Sequence, residues 1–319
     1  MWIRLVALVA LSFQWAAGAP DAASVVSVVL HPGASPAYVL CPAGASESSA
    51  CDASDGASTV SALRDLTLKL SASRIVLFVP GYATRFDAGY ESAEHVQAVL
   101  GGRFLVVYVF WGSRGKHADY LQDERMASRQ TRSFATLVSD LHAGIPDREL
   151  DVFAHSMGGR VVAGAMAIVK TQADGQAVIQ QAVLAAPDIS LTDYKRAITR
   201  DPKPFAHVTI YASTHDKALM LSGIINLHRR LGKMADWPAL AATDVVDASA
   251  ADKVAEGHGY AVHDKHVILD IGSVFLDSPI PHPAWKPEGE IDVLWGSHTH
   301  DHQTVWKLYP DLVTADGTP

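Results

Sequence analysis

Short apolar runs alternate with longer amphipathic segments from residue 74 onward. The apolar runs are rich in Val and Ile, as strands buried on both faces of a sheet are. They cover residues 75–79, 104–110, 150–154, 178–185, 208–212 and 245–246. The amphipathic segments predict helices at residues 91–100, 124–141, 158–170, 217–231 and 265–276. Because strand and helix alternate, the pattern predicts an α/β protein with a mainly parallel central sheet and helices on both faces.

The two ends of the chain depart from this alternation. Two β-rich runs, 25–30 and 37–40, flank the turn residues Pro32 and Gly33 and predict an antiparallel hairpin at an edge. The residues after Asp277 are rich in Pro, His and Trp without periodicity, which predicts an irregular tail. We therefore divide the chain into residues 1–19, a signal peptide; 20–73, an N-terminal extension with the β-hairpin; 74–277, the α/β core; and 278–319, the tail.

Residues 1–19 have the three regions of a secretory signal. An apolar stretch at 5–15 follows Arg4 and precedes the small residues at 16–19. The stretch is too short for a membrane anchor, because a spanning helix needs about 20 apolar residues. The sequence thus predicts a periplasmic or secreted protein, with cleavage after Gly18, after Ala19 or near Ala23.

The chain has two cysteines, Cys41 and Cys51, on either side of a loop rich in Gly, Ser and Ala. An exported protein enters an oxidising compartment, so we expect a disulfide here, with two free thiols as the alternative. The pair alone does not make a structural zinc site, because such a site needs four ligands.

Composition and charge limit the classes of molecule that the protein is expected to bind. The 319-residue chain is 49% hydrophobic and carries a formal charge of −8, without a run of Lys and Arg that would indicate nucleic acid or an anionic membrane. No glycine-rich phosphate loop follows a predicted strand, so neither a nucleotide nor another cofactor is implied. His298, His300 and His302 alternate in the manner of metal ligands, but their aperiodic surroundings favour a solvated cluster, and we predict no metal.

The segment 150–163 carries the clearest chemical signal. It predicts a strand, a sharp turn and a helix, with Ser156 at the turn. Ala154 and Gly158 lie two residues to either side, where a nucleophile elbow tolerates only small residues, and Ala154 replaces the usual first glycine. We therefore predict Ser156 as a catalytic nucleophile, with a plain structural turn as the alternative.

A serine nucleophile needs a base and an acid that orients the base. For the acid we favour Asp216, which follows the apolar run 208–212, with Asp188 one strand earlier as the alternative. For the base we favour His258, in a glycine-flanked loop before the last helix, with His263 and His266 as competitors. His155 adjoins Ser156 in sequence, and we expect its side chain to point elsewhere.

The negative charge that develops on the substrate oxygen needs backbone N–H donors. One donor is expected from the residue after the serine, which is Met157. The second is expected from the loop after the strand at 75–79, where we select the N–H of Tyr82.

Six short segments occur in an order that matches a known family. They are FVPGY at 78–82, FWGSRG at 110–115, AHSMG at 154–158, AAPD at 185–188, YAS through DKAL at 211–219 and GHGY at 257–260. In these segments the chain resembles the bacterial α/β-hydrolase family of unknown function (DUF900-like), which is related to esterases and lipases. The resemblance implies the α/β-hydrolase fold and a Ser–Asp–His triad. Two positions depart from the family pattern: Pro80 stands in place of His, and Gly112 in place of Pro.

The combined sequence evidence predicts a serine hydrolase that cleaves acyl esters through an acyl-Ser156 intermediate. A thioesterase or amidase would use the same residues, and a non-catalytic binding protein of the hydrolase fold is the contrasting alternative. The segment 189–206 is short and mostly polar, which leaves no room for a large apolar lid. We therefore expect small or medium soluble esters as substrates, with no membrane association implied.

Overall fold

The computed structural model describes residues 25–41, 45, 51, 56–169, 171, 175–199, 203–233, 237–238, 240–251, 257–276, 285–286, 298–300 and 303–308. The predicted signal peptide, residues 1–19, lies outside the described residues. Among the residues described, no helix is long and apolar enough to cross a membrane.

Eleven strands of the described part of the chain form one sheet. They are β1 (Val26–Leu30), β2 (Tyr38–Leu40), β3 (Arg74–Val79), β4 (Phe104–Phe110), β5 (Glu149–His155), β6 (Ile179–Ala185), β7 (Phe205–Ala212), β8 (Thr243–Asp247), β9 (Trp285–Lys286), β10 (His298–His300) and β11 (Gln303–Leu308). The order is β10-β11-β8-β7-β6-β5-β3-β4-β1-β2, with β9 paired to β11. All neighbours from β1 through β11 along this path are parallel, which confirms the predicted sheet. The predicted hairpin is the antiparallel pair β1–β2 at one edge.

Helices connect these strands and cover both faces of the sheet. They are α1 (Gly56–Lys69), α2 (Phe86–Leu100), α3 (Tyr120–Gly144), α4 (Gly158–Met166), α5 (Leu191–Ile198), α6 (Lys217–Asn226), α7 (Tyr260–His263) and α8 (Lys265–Phe275). Five of them overlap the helices predicted from the amphipathic pattern. Helices α1, α5 and α7 were not predicted, because two of the three buried residues of α1 are threonines and because α5 and α7 are only eight and four residues long.

Alternate residues of each central strand belong to two separate hydrophobic clusters. In β3, Ile75 and Leu77 pack in the cluster that contains residues of α3 and α4. Val76 and Phe78 pack in the cluster that contains residues of α2 and α8. Both faces of the strand are therefore buried from solvent, which is why its sequence is apolar at consecutive positions rather than at every second one.

The tail is not irregular throughout, because the strands β9, β10 and β11 lie within residues 278–319, and the prediction of an irregular tail is wrong at these three segments. Strand β11 pairs in parallel with β8, and its Val305 and Leu308 are buried. The segment escaped prediction because β11 is six residues long and its apolar side chains do not alternate regularly. Pairing with β8 satisfies backbone groups that would otherwise form an open sheet edge.

The N-terminal extension is attached to the core by its own contacts. The hydroxyl of Tyr38 in β2 donates a 2.8 Å hydrogen bond to Asp140 Oδ2 of α3. Helix α1 buries Leu63 in the cluster on the same face. The expected disulfide between Cys41 and Cys51 is present and closes a loop with a sequence separation of 10.

Loss of this disulfide should destabilise the protein measurably. Closing a loop of this length removes chain entropy from the unfolded state, which corresponds to about 2 to 3 kcal/mol. We expect the Cys41→Ser, Cys51→Ser double variant to have a free energy of unfolding lower by that amount in urea titration. Equal unfolding midpoints for the oxidised wild type and the double variant would contradict the expectation.

Candidate active site

Ser156 lies at the turn between β5 and α4 in a strained backbone conformation. Its φ is +53°, in the left-handed region that non-glycine residues rarely adopt. Its N–H donates to the carbonyl of Ala185 at 2.9 Å, and its own carbonyl accepts from the N–H groups of Gly159 and Asp188 at 3.0 and 3.1 Å. These bonds to the carboxyl end of β6 and to the first turn of α4 hold the turn in place.

Gly158 is required by a close approach between two elements. A Cβ atom at this position would lie 2.4 Å from the carbonyl oxygen of Val79 and 2.6 Å from that of Pro80. Both oxygens belong to backbone, which has little freedom to move. The last position of the small-x-Ser-x-Gly pattern is therefore glycine because the end of β3 packs directly against the first turn of α4.

The structure brings Ser156, His258 and Asp216 into one hydrogen-bonded chain. Ser156 Oγ lies 2.8 Å from His258 Nε2, and His258 Nδ1 lies 2.6 Å from Asp216 Oδ2. The carboxylate accepts only, so Nδ1 carries the proton and Nε2 accepts from the serine hydroxyl. Asp216 is fully buried, and its other oxygen caps α6 by accepting a 2.8 Å hydrogen bond from Leu219 N–H.

The alternative residues make other contacts. The carboxylate of Asp188 accepts hydrogen bonds from Tyr120, at 2.7 Å, and from Ser222, and forms an ion pair with Arg230 Nε at 3.1 Å. His263 ends α7, where burial lowers its pKa. Among the described residues, neither side chain is hydrogen-bonded to the side chain of Ser156 or His258, and Asp188 contacts Ser156 through its backbone N–H. Asp188 thus forms part of the wall beside the serine, while Asp216 is the carboxylate that meets the histidine.

His266 also lies apart from the serine. It is in the first turn of α8, where its N–H donates to Asp264 Oδ1 at 2.8 Å. Its Nδ1 is 3.3 Å from the same oxygen. These local contacts are those of a helix cap.

The two candidate oxyanion donors lie on adjoining elements. Met157 is the N-cap residue of α4, and no acceptor for its N–H is found in the described part of the chain. Tyr82 is in the loop after β3, and its ring packs edge-on against Tyr120 with centroids 5.3 Å apart. Tyr82 lines the cavity that contains Ser156, and Met157 directly follows Ser156 in the chain.

Asp123 fixes the Tyr82 loop, a role that the sequence analysis missed. Its carboxylate accepts hydrogen bonds from Ala83 N–H at 3.1 Å, from Ser113 Oγ at 2.7 Å and from Arg114 N–H at 2.9 Å. Trp111 Nε1 donates to the carbonyl of Pro80 at 2.8 Å. The FWGSRG segment is thus the support of the loop. In sequence, Asp123 resembles any acid in the first turn of a helix, so nothing indicated this contact.

His155 was also assigned no role from sequence. Its Nε2 donates a 3.0 Å hydrogen bond to the backbone carbonyl of His258. The two rings lie 4.9 Å apart between centroids. Burial, and after it the proximity of His258, lowers the pKa of His155 to about 3. His155 is therefore a neutral donor that anchors the backbone of the candidate base.

A small cavity opens in front of the serine. Its volume is about 70 Å³. Its lining combines polar residues of the site with apolar residues of α6: Tyr82, His117, Tyr120, Ser156, Asp188, Ala218, Leu219, Leu221, Ser222, Ile225 and His258. Within the described residues no cluster of three or more His, Cys, Asp or Glu side chains is suited to a metal ion, and the side chains of the histidines at 298–302 lie outside that description.

The parallel sheet and the Ser156 turn define an α/β hydrolase fold. Residues 56–266 match the family described as alpha/beta hydrolase of unknown function (DUF900). The match covers most of the chain, and the protein belongs to this family, which confirms the resemblance found in the sequence. No curated protein sequence matches the chain.

Two solved structures are similar at low identity. Trichoderma reesei cutinase in complex with a C11Y4 phosphonate inhibitor is 15% identical, with a TM-score of 0.27, over 44% of this chain and 69% of that one. Phospholipase PlaB from Legionella pneumophila is 15% identical, with a TM-score of 0.26, over 61% of this chain and 42% of that one. The chain therefore spans less than half the length of the phospholipase.

His155 should make the folded state sensitive to acid. Its pKa is lowered in the folded protein to about 3, whereas an unfolded histidine titrates near 6.5. The unfolded state therefore binds the proton first, so stability that is present above about pH 6.5 is lost as the pH falls toward 3, by up to about 1.4 kcal/mol per pH unit. His155→Gln keeps a donor for the His258 carbonyl without this titration.

We expect urea unfolding at pH 7 and pH 4.5 to reveal the difference. The loss of unfolding free energy between the two pH values should be smaller in His155→Gln than in wild type. His95→Gln, which alters an exposed histidine of α2, is the matched control and should follow the wild type. Identical losses in all three proteins would remove His155 as the source of acid sensitivity.

Proposed function

We propose that the protein is a serine hydrolase that cleaves carboxylic acyl esters through an acyl-serine intermediate. The observation that carries the proposal is the hydrogen-bonded chain from Ser156 Oγ through His258 to Asp216. A serine hydroxyl is a weak nucleophile unless a base takes its proton, and an imidazole oriented by a carboxylate is such a base. Membership of an α/β hydrolase family supports the same reaction class.

In the proposed first step, Ser156 Oγ bonds to the ester carbonyl carbon while its proton passes to His258 Nε2. The carbonyl π electrons move to oxygen, and the N–H groups of Met157 and Tyr82 are the proposed donors to that oxyanion. The tetrahedral intermediate collapses, the bond to the alcohol oxygen breaks, and His258 returns the proton to the leaving alcohol. Asp216 stabilises the imidazolium throughout.

In the second step, water replaces the alcohol. His258 takes a proton from water, whose oxygen bonds to the acyl carbon, and the second tetrahedral intermediate expels Ser156 Oγ. The serine recovers its proton from the imidazolium, and the carboxylic acid leaves. Serine, histidine and aspartate all return to their starting protonation states.

The acyl portion held at the serine is proposed to be small or medium in size. The cavity volume of about 70 Å³ accommodates a short acyl segment, and Leu219, Leu221 and Ile225 give that segment apolar contacts. Thioesters and amides react through the same groups and are the second candidate class. A purely structural role accounts poorly for a buried carboxylate, an imidazole and a strained serine aligned within hydrogen-bond distance.

We further propose that the protein acts in the periplasm or outside the cell. The Cys41–Cys51 disulfide supports this, because disulfides persist in oxidising compartments. The secretory pattern of residues 1–19 supports it independently.

A fluorophosphonate probe should label the purified protein at Ser156. The reagent reacts with serine hydroxyls that an adjacent base has activated, so Ser156→Ala should remain unlabelled. In-gel fluorescence and peptide mass mapping give the readout. Equal labelling of wild type and Ser156→Ala would reject the nucleophile, and an unlabelled wild type with no activity on p-nitrophenyl esters would favour a binding role.

Replacement of His258 should abolish ester hydrolysis. His258→Ala should lower kcat for p-nitrophenyl acetate on the order of 10³-fold or more, because members of a triad act as a unit. His263→Ala is the matched control and should change kcat by less than about threefold, since surface substitutions rarely disturb a site they do not touch. Circular dichroism establishes that both variants fold. The reverse order of effects would reassign the base and reopen the placement of Asp216.

A further inference from the structure

Helix α6 presents its apolar side chains to solvent. Five apolar side chains on or next to this helix are exposed, and together we call them the α6 face: Met220 (52% exposed), Leu221 (56%), Ile224 (64%), Ile225 (45%) and Leu227 (86%). Surface helices normally turn their apolar stripe inward. Contiguous exposed apolar area of this kind marks an interaction site.

The periodicity of α6 shows that this exposure is built into the helix. The residues at 220, 221, 224 and 225 recur with helical spacing on one side, and this is the outer side. The inner side buries Leu219 and Ser222, and Ser222 makes its hydrogen bonds to Tyr120 and Asp188. The apolar stripe thus faces outward because polar contacts already occupy the inward side.

The α6 face is continuous with the candidate active site. Leu221 and Ile225 belong to the α6 face and also line the cavity that contains Ser156. Asp216, the carboxylate bonded to His258, caps the N-terminus of the same helix. A surface that contacts the α6 face therefore lies at the mouth of the cavity.

The segment that carries the α6 face has basic residues and no acidic ones, and the carboxylates next to it, Asp216 and Asp188, are buried and bonded to His258 and Arg230. The segment from Lys217 to Lys233 contains no Asp or Glu, although the whole chain has a formal charge of −8. Lys217 and Arg229 are exposed near the two ends of the α6 face. Lys116 is exposed beside His117, which lines the cavity opposite α6. An apolar face with basic residues around it complements a surface that offers both acyl chains and negative head groups.

We propose that the α6 face docks onto an anionic lipid surface, from which the cavity draws its ester substrate. Naming lipid esters as the substrate class rests on the proposed function, whereas docking itself does not require catalysis. This docking departs from two expectations drawn from the sequence: soluble esters as substrates, and no association with an anionic membrane. The expectation of soluble esters rested on the polar character of residues 189–206, where α5 lies. The exposed apolar surface is instead on the following helix, α6.

The test measures vesicle binding without catalysis. The full chain carrying Ser156→Ala is floated with vesicles of phosphatidylglycerol and phosphatidylcholine in equal parts, and with vesicles of phosphatidylcholine alone. We expect binding to the anionic vesicles, weaker binding to the neutral ones, and weakening by salt because the basic residues are exposed. Equal binding to both vesicle types, or to neither, would overturn the proposal.

A docking variant and a matched control localise the contact. Met220→Gln, Ile224→Gln and Leu227→Asn alter three side chains of the α6 face that do not line the cavity, and Asn tolerates the φ of +57° at Leu227. Binding should fall about 100-fold, because three apolar side chains no longer enter the lipid. The control, Leu68→Gln with Ile168→Gln, changes side chains that are 57% and 46% exposed elsewhere and should bind as the parent does.

Ester hydrolysis and sedimentation velocity distinguish lipid docking from a catalytic defect and from dimerisation. With Ser156 restored, the docking variant should hydrolyse p-nitrophenyl acetate at the parent rate and vesicle-embedded esters more slowly. Vesicle binding without fluorophosphonate labelling would remove the proposed function and retain the docking. Equal loss of binding in the docking variant and the control would overturn the assignment of the α6 face. The proposal would also be overturned if sedimentation velocity showed that the parent is a dimer and the docking variant a monomer, because the α6 face would then be a contact between two copies of the chain.

Discussion

Contact between the first turn of α4 and the carboxyl end of β3 is the constraint on which the site depends. Because Gly158 has no side chain, the carbonyls of Val79 and Pro80 can lie against the helix. A Cβ atom at this position would overlap both carbonyl oxygens. This contact brings the Tyr82 loop beside Ser156, so that a strand end and a helix N-terminus face the same point. The positive φ of Ser156 follows from the sharpness of the turn and is held by backbone bonds on both sides.

Asp216 connects the chemistry to the outer surface of the molecule. One carboxylate oxygen accepts the N–H of Leu219 at the start of α6, and the other meets His258. A negative charge at a helix N-terminus is stabilised by the helix dipole, so the helix favours the charge that the imidazole needs. The same helix carries the exposed apolar face. Displacement of α6 would therefore move the orienting carboxylate as well as the surface.

The sequence was sufficient to predict those features of the fold and the site that depend on local chemistry. Continuous apolar runs predict strands that are buried on both faces, and small residues around Ser156 predict a sharp turn, because in both cases the residue types directly reflect the local packing. The outward direction of α6 was not predictable, since periodicity identifies an apolar stripe without showing what lies on either side. The contact of Asp123 with Ala83 was likewise not predictable, because it joins residues 40 positions apart in sequence. The pairing of β11 with β8 depends on an edge that exists only in the folded sheet.

His258 illustrates how a loop without regular structure is fixed by side chains. Gly257, directly before the histidine, adopts a φ of +63° that favours glycine, and such a loop alone would leave the imidazole free to move. Asp216 holds the ring at Nδ1, while His155 holds the backbone of the same residue at its carbonyl. Two anchors on different atoms restrict both the position and the rotation of the ring. Since His155 is the last residue of β5 and immediately precedes Ser156, the strand that positions the candidate nucleophile also positions the backbone of the candidate base.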